Sequence, residues 1–374
     1  MATPTIHSAP AQQRALSTTY LPALTGVRAL AAYLVFLHHF NPFQAEGSTE
    51  LLNLIVLEFH IGVPIFFVLS GFLITLRYYG TEQWNRRWWG SYLRNRVARI
   101  YPMYFLLTTA LFLLRFYEEG HFAFRTWLFN VLFLRGFFDE MKYSGIAQGW
   151  TLTVEECFYL FAPIAFMLLR KRIKLWIQPF LLLAFGCLLV LTLGPLQHHG
   201  LFSDFKFMLL FTFFGRCFEF YAGMQLALWY RQGRLRRFTF PGLLTGLGLL
   251  MIAAALGAMV WTKGDYSYGQ EHPFGVALNN VALPGGIMTF FAGLLIERTW
   301  LQRLLASKPL QLLGKSSYVF YLIHMGFIHD LLTTYWTENS GKLFVILNIL
   351  AIVLYYIVEQ PLNRLLRRSP ASAN

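Results

Sequence analysis

The sequence predicts an all-α, polytopic membrane protein with about ten transmembrane helices. Of its 374 residues, 56% are hydrophobic and 13% are charged, whereas soluble domains average about 45–50% apolar and about 25% charged residues. The apolar residues form a series of stretches long enough to cross a bilayer, and the basic residues lie mainly between alternate stretches. This combination excludes a disordered chain, a collagen-like chain and a water-soluble enzyme.

The transmembrane helices follow from stretches of about 20 mainly apolar residues. Ten stretches meet this description: 21–43, 60–78, 99–116, 150–169, 175–193, 207–230, 241–261, 276–296, 316–333 and 343–360. An eleventh apolar patch, 126–138, is shorter and contains Arg135, so we predict a short re-entrant or interfacial helix there. The transmembrane domain then covers 21–366.

The two ends of the chain are predicted to be tails, a disordered one at 1–20 and a short one at 367–374. Residues 1–20 are polar and have no apolar core, so they do not resemble a cleavable signal peptide.

The basic residues predict the orientation. With the N-terminus in the cytoplasm, 22 of the 31 Lys and Arg residues fall in cytoplasmic segments and seven fall outside. This bias is the positive-inside pattern, and it predicts that both termini are cytoplasmic. A full crossing by 126–138 would place the basic cluster 170–174 outside, against this pattern. The net charge of +13 is therefore interpreted as a topology signal, and no nucleic-acid partner is expected.

The three cysteines lie inside apolar stretches, at Cys157, Cys187 and Cys217. Their spacing matches neither a disulfide framework nor a zinc motif. We interpret them as small membrane-embedded side chains, and no metal is expected.

The first predicted span contains ionisable residues, which are costly in a membrane and so indicate function. Arg28 and His39 are eleven residues apart, about three helical turns, and so share one face about 16 Å apart. The orientation places Arg28 near the cytoplasmic end and His39 near the outer end, whereas His38 points about 80° away. An ordinary interfacial histidine is the alternative interpretation of His39.

The fourth predicted span begins at the outer face with Trp150. Glu155 should lie about one turn into this span, at the depth of His39, where a carboxylate could orient the imidazole. Tyr159 shares a face with Glu155 because the two are four residues apart. The alternative is that Glu155 and Glu156 only complement the helix dipole.

Other polar residues mark the remaining candidate positions. Arg96 and Arg99, an i,i+3 pair at the cytoplasmic start of the third span, could clamp a phosphate, although plain positive-inside flanking explains them too. The second span carries Ser70 in a stretch interrupted by Pro and Gly, which predicts a cavity-lining helix. Further candidates are Tyr318 and His324 in the ninth span. At the end of the tenth span, Glu359 beside Arg364 and Arg367 is interpreted as a plain helix stop with an ion pair.

Six ordered motifs together resemble the acyltransferase 3 family of membrane O-acyltransferases, over about 21–366. The first is Arg28, ten residues, then His39; the others are 66–73 (FFVLSGFL), 96–102 (RVARIYP), 150–155 (WTLTVE, with Thr151 where the family usually has Ser), 317–324 (SYVFYLIH) and 358–361 (VEQP). Each motif is weak alone, whereas the ordered set on the predicted spans is specific.

The resemblance implies transfer of an acyl group, commonly acetyl from acetyl-CoA, from the cytoplasmic side to a hydroxyl of an outer-face acceptor such as a surface glycan. It implies that His39 is the general base, with Glu155 as its acidic partner or as a residue that positions the acceptor. It also implies that Arg96, Arg99 and Arg28 bind the donor. The candidates for lining the substrate path are Ser70, Trp150, Tyr318 and His324.

The expected location is the bacterial inner (cytoplasmic) membrane. The expected partners are the lipid bilayer, acyl-CoA and a glycan or other hydroxyl acceptor. Some relatives carry an esterase-like soluble domain, which the sequence does not contain, so the acceptor is expected to be reached directly or through a separate periplasmic or glycan-assembly protein.

Two other functions remain open on the sequence alone. A secondary transporter would also use intramembrane ionisable residues and broken helices, although many show two similar halves, and the Arg28/His39 motif has no counterpart in the second half. An accessory protein without chemistry is the other alternative.

Overall fold

The structure, a computed structural model, describes residues 20–237 and 240–367. The predicted tails, 1–20 and 367–374, lie outside these residues apart from Tyr20 and Arg367. All regular elements of the described ranges are helical. The α-helices are α1 (Pro22–His39), α2 (Glu50–Leu57), α3 (Gly62–Tyr78), α4 (Arg86–Glu119), α5 (Phe124–Val131), α6 (Trp150–Arg170), α7 (Gln178–Leu193), α8 (Phe205–Phe211), α9 (Phe213–Arg231), α10 (Leu243–Thr262), α11 (Pro273–Ala277), α12 (Leu283–Ile296), α13 (Trp300–Leu305), α14 (Lys308–Ile323), α15 (Phe327–Tyr335), α16 (Ser340–Leu354) and α17 (Gln360–Leu366).

Shorter helical segments join these helices. Two π-helical segments, Leu278–Ala282 and Tyr355–Glu359, continue into α12 and α17. The 3₁₀ turns are Gly47–Thr49, Glu58–Ile61, Arg135–Phe137, Asp139–Met141, Ala147–Gly149, Gly194–Leu196, Arg234–Arg237 and Gly269–Glu271.

Eight helical runs within the described residues are long and apolar enough to cross a membrane. They are Gly47–Tyr78, Arg86–Glu119, Ala147–Arg170, Gln178–Leu196, Phe205–Arg231, Leu243–Thr262, Pro273–Ile296 and Ser340–Leu366. The other two predicted spans correspond to α1, with 18 residues, and α14, with 16 residues. The all-helical, membrane-crossing class predicted from composition is therefore confirmed.

Two helix pairs run parallel at the centre of the bundle. Helices α1 and α14 are parallel. The ring centroids of Tyr33 and Phe320 are 5.3 Å apart, and further along both chain segments the ring of His39 lies next to that of His324. Helix α3 lies antiparallel to α1, because its first residue, Gly62, lies against Ala31 while His38 reaches back to Leu57. Helix α9 runs parallel to α3.

Glycine permits the closest of these contacts. A Cβ on Gly71 would meet the backbone of Phe220, and one on Gly223 would meet the backbone of Val68. Small residues let helix backbones approach in a membrane, where van der Waals packing replaces the hydrophobic effect as the driving force. The close contact with α9 therefore holds α3, the helix that carries Ser70, in a fixed position.

A buried carboxylate caps a neighbouring helix in the second half of the bundle. Glu297, at the end of α12, accepts hydrogen bonds from the backbone N–H groups of Leu244 (2.7 Å) and Thr245 (3.0 Å). These are among the N–H groups that a helix start leaves without internal partners. The contact fixes α10 and α12 antiparallel at one end.

A buried arginine organises the connection between α5 and α6. Arg135 is fully buried and donates to Asn130 Oδ1 (2.8 Å), the Ser144 carbonyl and the Ile146 carbonyl (2.6 Å). Helix α5 has eight residues, about 12 Å, far less than a bilayer crossing. The predicted short helix at 126–138 is present as α5 followed by a 3₁₀ turn at Arg135–Phe137.

Two predicted boundaries are wrong. The ninth span, predicted as one helix over 316–333, starts earlier at Lys308 and ends at Ile323; α15 begins after Gly326, whose φ is +82°. The third helix begins at Arg86, well before 99, so the basic residues assigned to a flanking segment are helical. Hydropathy locates apolar stretches but not the helical turns that extend beyond them.

Candidate active site

Three cavities lie in a row along the bundle, each sharing wall residues with the next. The basic cavity (about 310 Å³) shares Arg28 and Arg99 with the central cavity. The central cavity shares Val63 and Tyr321 with the histidine cavity (about 320 Å³). The central cavity is small, about 50 Å³, so it forms a constriction between two larger chambers.

The histidine cavity lies where α1 ends and α3 and α6 begin. Its walls carry His38, His39, His60, Tyr143, Gln148, Trp150, Tyr268, Gln270, Glu271 and Tyr321, among others. Trp150 thus lies with His39, as the predicted substrate path requires. The sequence reasoning missed His60, Gln148 and Tyr268. The available signal was that His60, at the start of the second predicted span, and the loops holding Gln148 and Tyr268 were predicted to lie on the same side of the membrane as His39.

The tautomers of two cavity histidines are set by their partners. The ring Nδ1 of His38 lies 2.6 Å from the Leu57 carbonyl, which can only accept, so Nδ1 carries the proton. The ring Nε2 of His60 lies 2.9 Å from Glu58 Oε2 and donates to that carboxylate. His39 is exposed, and within the described ranges neither of its ring nitrogens has a hydrogen-bond partner. Of these three imidazoles, His39 is the one with both ring nitrogens available to a ligand.

Glu58 holds the loop that contains Gly269 next to the histidine cavity. This carboxylate is fully buried, and its second oxygen accepts the backbone N–H of Gly269 at 2.6 Å. The preceding residue, Tyr268, places its ring 4.8 Å from that of His38. Burial and the neighbouring Glu271 raise the pKa of Tyr268, so its phenol stays protonated at neutral pH and can donate a hydrogen bond to a ligand.

The central cavity is built around Glu155. Its carboxylate accepts hydrogen bonds from Ser70 Oγ (2.5 Å) and from the hydroxyl of Tyr159. The expectation that Glu155 and Tyr159 share a helix face is confirmed by this bond. Tyr318, also in the wall, donates to the Ile100 carbonyl at 2.7 Å. Ser70, Glu155 and Tyr318 are therefore brought together.

The structure does not bring Glu155 beside His39, in contrast to the prediction of equal depth. Trp150 at the start of α6 is already level with His39, because both line the histidine cavity. Glu155 lies five residues further along, about 7.5 Å deeper, and faces the central cavity. The prediction failed because it measured depth from the start of α6 without knowing where α1 ends relative to that start.

The basic cavity contains five cationic side chains and one carboxylate. Its walls include Arg28, Arg99, Lys315, Glu359, Arg364 and Arg367. Arg364 and Arg367 are exposed at the rim, whereas Arg28 and Arg99 are half-buried. The sequence reasoning treated Arg364 and Arg367 as part of a helix stop; their proximity to Arg28 comes from the packing of α17 against α4, where Asn363 donates to the Ala98 carbonyl at 3.1 Å.

Arg96 does not share the basic cavity with Arg99, so the predicted i,i+3 clamp is wrong in geometry. Arg96 is 4% exposed and donates to the Tyr78 hydroxyl at 3.3 Å. Its guanidinium also lies over the rings of Tyr78 and Tyr159 at 5.4 and 5.5 Å. The neighbouring helices therefore decide whether an arginine of α4 faces a cavity or lies over tyrosine rings.

His324 lies immediately behind His39. It is fully buried, and the two ring centroids are 5.5 Å apart. It does not line any of the three cavities, so the prediction that it lines the substrate path is wrong.

Comparison with known proteins shows what the chain is similar to. A family model for the acyltransferase domain known as acyltransferase 3 matches residues 21–358. The chain is 27% identical to peptidoglycan O-acetyltransferase OatA of Listeria monocytogenes over 340 residues, which cover 82% of this chain and 49% of that protein. It is 25% identical to O-acetyltransferase OatA of Staphylococcus aureus over 393 residues, covering 94% of this chain and 58% of the relative. The chain thus spans about half the length of these relatives, and no solved structure matches it.

Proposed function

We propose a function for this chain from the premise that it belongs to the acyltransferase 3 family, and that it is a multi-pass membrane protein. It transfers an acyl group, acetyl in the main case, from acyl-CoA to a hydroxyl of a glycan such as peptidoglycan. The relatives named as peptidoglycan or O-acetyltransferases support the reaction class.

We further propose ten spans, with both termini cytoplasmic, in the bacterial inner membrane. The eight long apolar runs together with α1 and α14 make up this number. The directions of the helices agree with it, since α1 and α14 are parallel and both oppose α3 and α9. In this orientation the basic cavity opens to the cytoplasm and the histidine cavity to the outer side.

The row of three cavities is the observation that carries the proposal. An acyl transfer between two sides of a membrane needs an anion-binding site on one side, a proton acceptor on the other and a passage between them. The basic cavity supplies cations for the phosphates of coenzyme A, since guanidinium groups bind phosphate bidentately. The histidine cavity supplies an unpaired imidazole in a chamber of about 320 Å³.

The donor site is assigned to the basic cavity. Arg28 and Arg99 line both this cavity and the central one, so they are placed to hold the phosphates nearest the constriction. Lys315, Arg364 and Arg367 complete the cationic wall. Arg96 is assigned a supporting role, because its guanidinium contacts Tyr78 and Tyr159 and does not face the cavity.

The central cavity admits only a narrow group. At about 50 Å³ it has room for only a few water molecules, since about 10–15 Å³ of such volume holds one. An extended, unbranched arm fits this constriction, whereas a nucleotide does not. Glu155 accepts hydrogen bonds from Ser70, which lies in the wall, and from Tyr159, which lies behind it, and so sets the shape of the passage.

His39 acts as the general base in this proposal. The acceptor hydroxyl attacks the thioester carbonyl while His39 accepts its proton, a role suited to an imidazole near neutral pH. A C–O bond forms, the C–S bond breaks, and His39 returns the proton to the departing thiolate. Transfer is direct, without an acyl-enzyme.

The decisive experiment replaces His39 with Gln in the full chain and measures O-acetyl groups on the isolated glycan by mass spectrometry. We expect loss of acylation with unchanged membrane insertion. His199→Gln is a matched control, because His199 is a half-exposed loop residue paired with Glu140 outside the cavities. Acylation by the His39 variant at the wild-type level would refute the base assignment. A glycan that carries no acyl groups with or without the gene would refute the reaction and favour a transporter.

A further inference from the structure

His324 is held in one tautomer with a free acceptor nitrogen. Its ring Nδ1 lies 2.7 Å from the Tyr321 carbonyl, so Nδ1 carries the proton and donates. Its Nε2 is therefore a bare lone pair. This atom is buried and has no hydrogen-bond partner among the described residues. A buried acceptor without a donor is costly, so the arrangement calls for a donor.

The broken helix explains why this tautomer exists. Because α14 ends at Ile323, its last carbonyls have no partners within the helix. Tyr321 and Leu322 offer their carbonyls to Gln148 Nε2 at 2.8 and 2.9 Å, and the Tyr321 carbonyl also accepts from His324. A continuous helix over 316–333 would use these carbonyls internally and leave the His324 ring free to rotate.

His39 is the neighbouring donor. The ring centroids are 5.5 Å apart and the planes are inclined by 31°. Two imidazoles joined by an N–H···N hydrogen bond of about 3 Å have centroids about 5 Å apart, close to the separation of the His39 and His324 rings. The ring of His38 lies 4.8 Å from that of His39 and donates through Nδ1 to the Leu57 carbonyl, which leaves its Nε2 as an acceptor too. His324 differs from His38 because its free nitrogen is buried and without a partner among the described residues.

We propose that His324 is the positioning residue for His39, accepting the N–H of one His39 ring nitrogen at its own Nε2. This proposal rests on the proposed function. The second His39 nitrogen then presents its lone pair to the acceptor hydroxyl. When His39 takes the proton from that hydroxyl, the hydrogen bond to neutral His324 stabilises the imidazolium until the proton passes to the departing thiolate. His324 thus does the work that the sequence assigned to Glu155.

The test compares two substitutions of His324 in the full-length, detergent-purified protein. His324→Leu removes the acceptor, whereas His324→Gln keeps an amide oxygen that can accept the same N–H. His329→Leu is the matched control, because that imidazole stacks on Phe40 at 4.3 Å and does not face His39. The first readout is kcat and KM for acyl transfer. The second is the rate at which diethyl pyrocarbonate modifies His39, followed by mass spectrometry, which needs no acyl transfer.

We expect His324→Leu to lower kcat about 10- to 100-fold, the value of one hydrogen bond to a charged group, with little change in KM for acyl-CoA. We also expect slower modification of His39, partial recovery of both values in His324→Gln and wild-type values in His329→Leu. Wild-type kcat and wild-type His39 reactivity in His324→Leu would overturn the proposal. Equal losses in the Leu and Gln variants with unchanged His39 reactivity would overturn it too, because they indicate a purely structural role. If wild-type protein transfers no acyl group while His39 reactivity still falls in Leu and recovers in Gln, the positioning stands and the proposed function fails.

Discussion

The cationic wall of the basic cavity leads to a graded prediction for donor binding. Arg99 is half-buried at the junction with the central cavity, whereas Arg364 and Arg367 are exposed at the rim. A hydrogen bond between charged groups in a sheltered site is worth about 1.5–3 kcal/mol, whereas an exposed ion pair is worth about 0.2–1 kcal/mol. Arg99→Gln should therefore weaken acetyl-CoA binding about 10- to 100-fold, and the single rim variants Arg364→Gln and Arg367→Gln only about 1.4- to 5-fold each.

Salt separates the two classes. The Debye length falls from about 10 Å at 0.1 M to about 3 Å at 1 M ionic strength, so the rim contribution should vanish at high salt and the Arg99 contribution should largely persist. The measurement is a titration of purified protein with acetyl-CoA at low and high salt. Arg172→Gln is the control, since this exposed cation lies in the α6–α7 connection and does not line the basic cavity. Equal losses for the Arg99 and rim variants, or a loss of the same size for Arg172→Gln, would refute the assignment of the donor site.

Three further substitutions test other parts of the site and its scaffold. Ser70→Ala removes one of the two side-chain donors to Glu155, so kcat should fall about tenfold. The unfolding temperature of the purified protein should change little. An unchanged kcat would contradict a role of Ser70 in the passage. Gly223→Ala places a methyl group against the backbone of α3 and should lower the free energy of unfolding by about 1–3 kcal/mol. In the control, Gly257→Ala, the methyl group meets open space, so the unfolding temperature should not fall. Similar unfolding temperatures for the two variants would contradict the close α3–α9 contact. Glu58→Ala frees the loop at Gly269 and should raise KM for the glycan several-fold but not KM for acetyl-CoA, and the reverse pattern would contradict its place at the histidine cavity.

Hydropathy and charge were enough to predict the class of the fold, because a membrane imposes both signals on the sequence directly. A helix in hydrocarbon must be apolar over about 20 residues, and cytoplasmic loops retain basic residues. The sequence could not predict where a helix ends inside an apolar stretch. At the break after Ile323, Gln148 binds the free Tyr321 carbonyl through a tertiary contact, and Gly326 adopts a positive φ.

The candidate site was predicted residue by residue but not as a set of contacts. Periodicity correctly joined Glu155 to Tyr159, since both lie on one helix. It failed for pairs on different helices, because the relative depth of two helices is set by packing. Arg96 illustrates the same limit: Arg96 and Arg99 are three residues apart on α4, yet one faces tyrosines and the other a cavity.

The two end cavities offer different groups to a ligand. At the histidine cavity, Gln148 Oε1 is a buried acceptor without a donor among the described residues, so this end calls for N–H or O–H groups. At the basic cavity, five cationic side chains surround the single carboxylate of Glu359, so the excess of positive charge calls for anionic oxygens. Unsatisfied polar groups cost several kcal/mol in a bilayer and persist mainly where function requires them. A hydroxyl-rich acceptor at one end and a polyphosphate donor at the other would satisfy both sets, whereas a single solute moving through all three cavities would match only one end at a time.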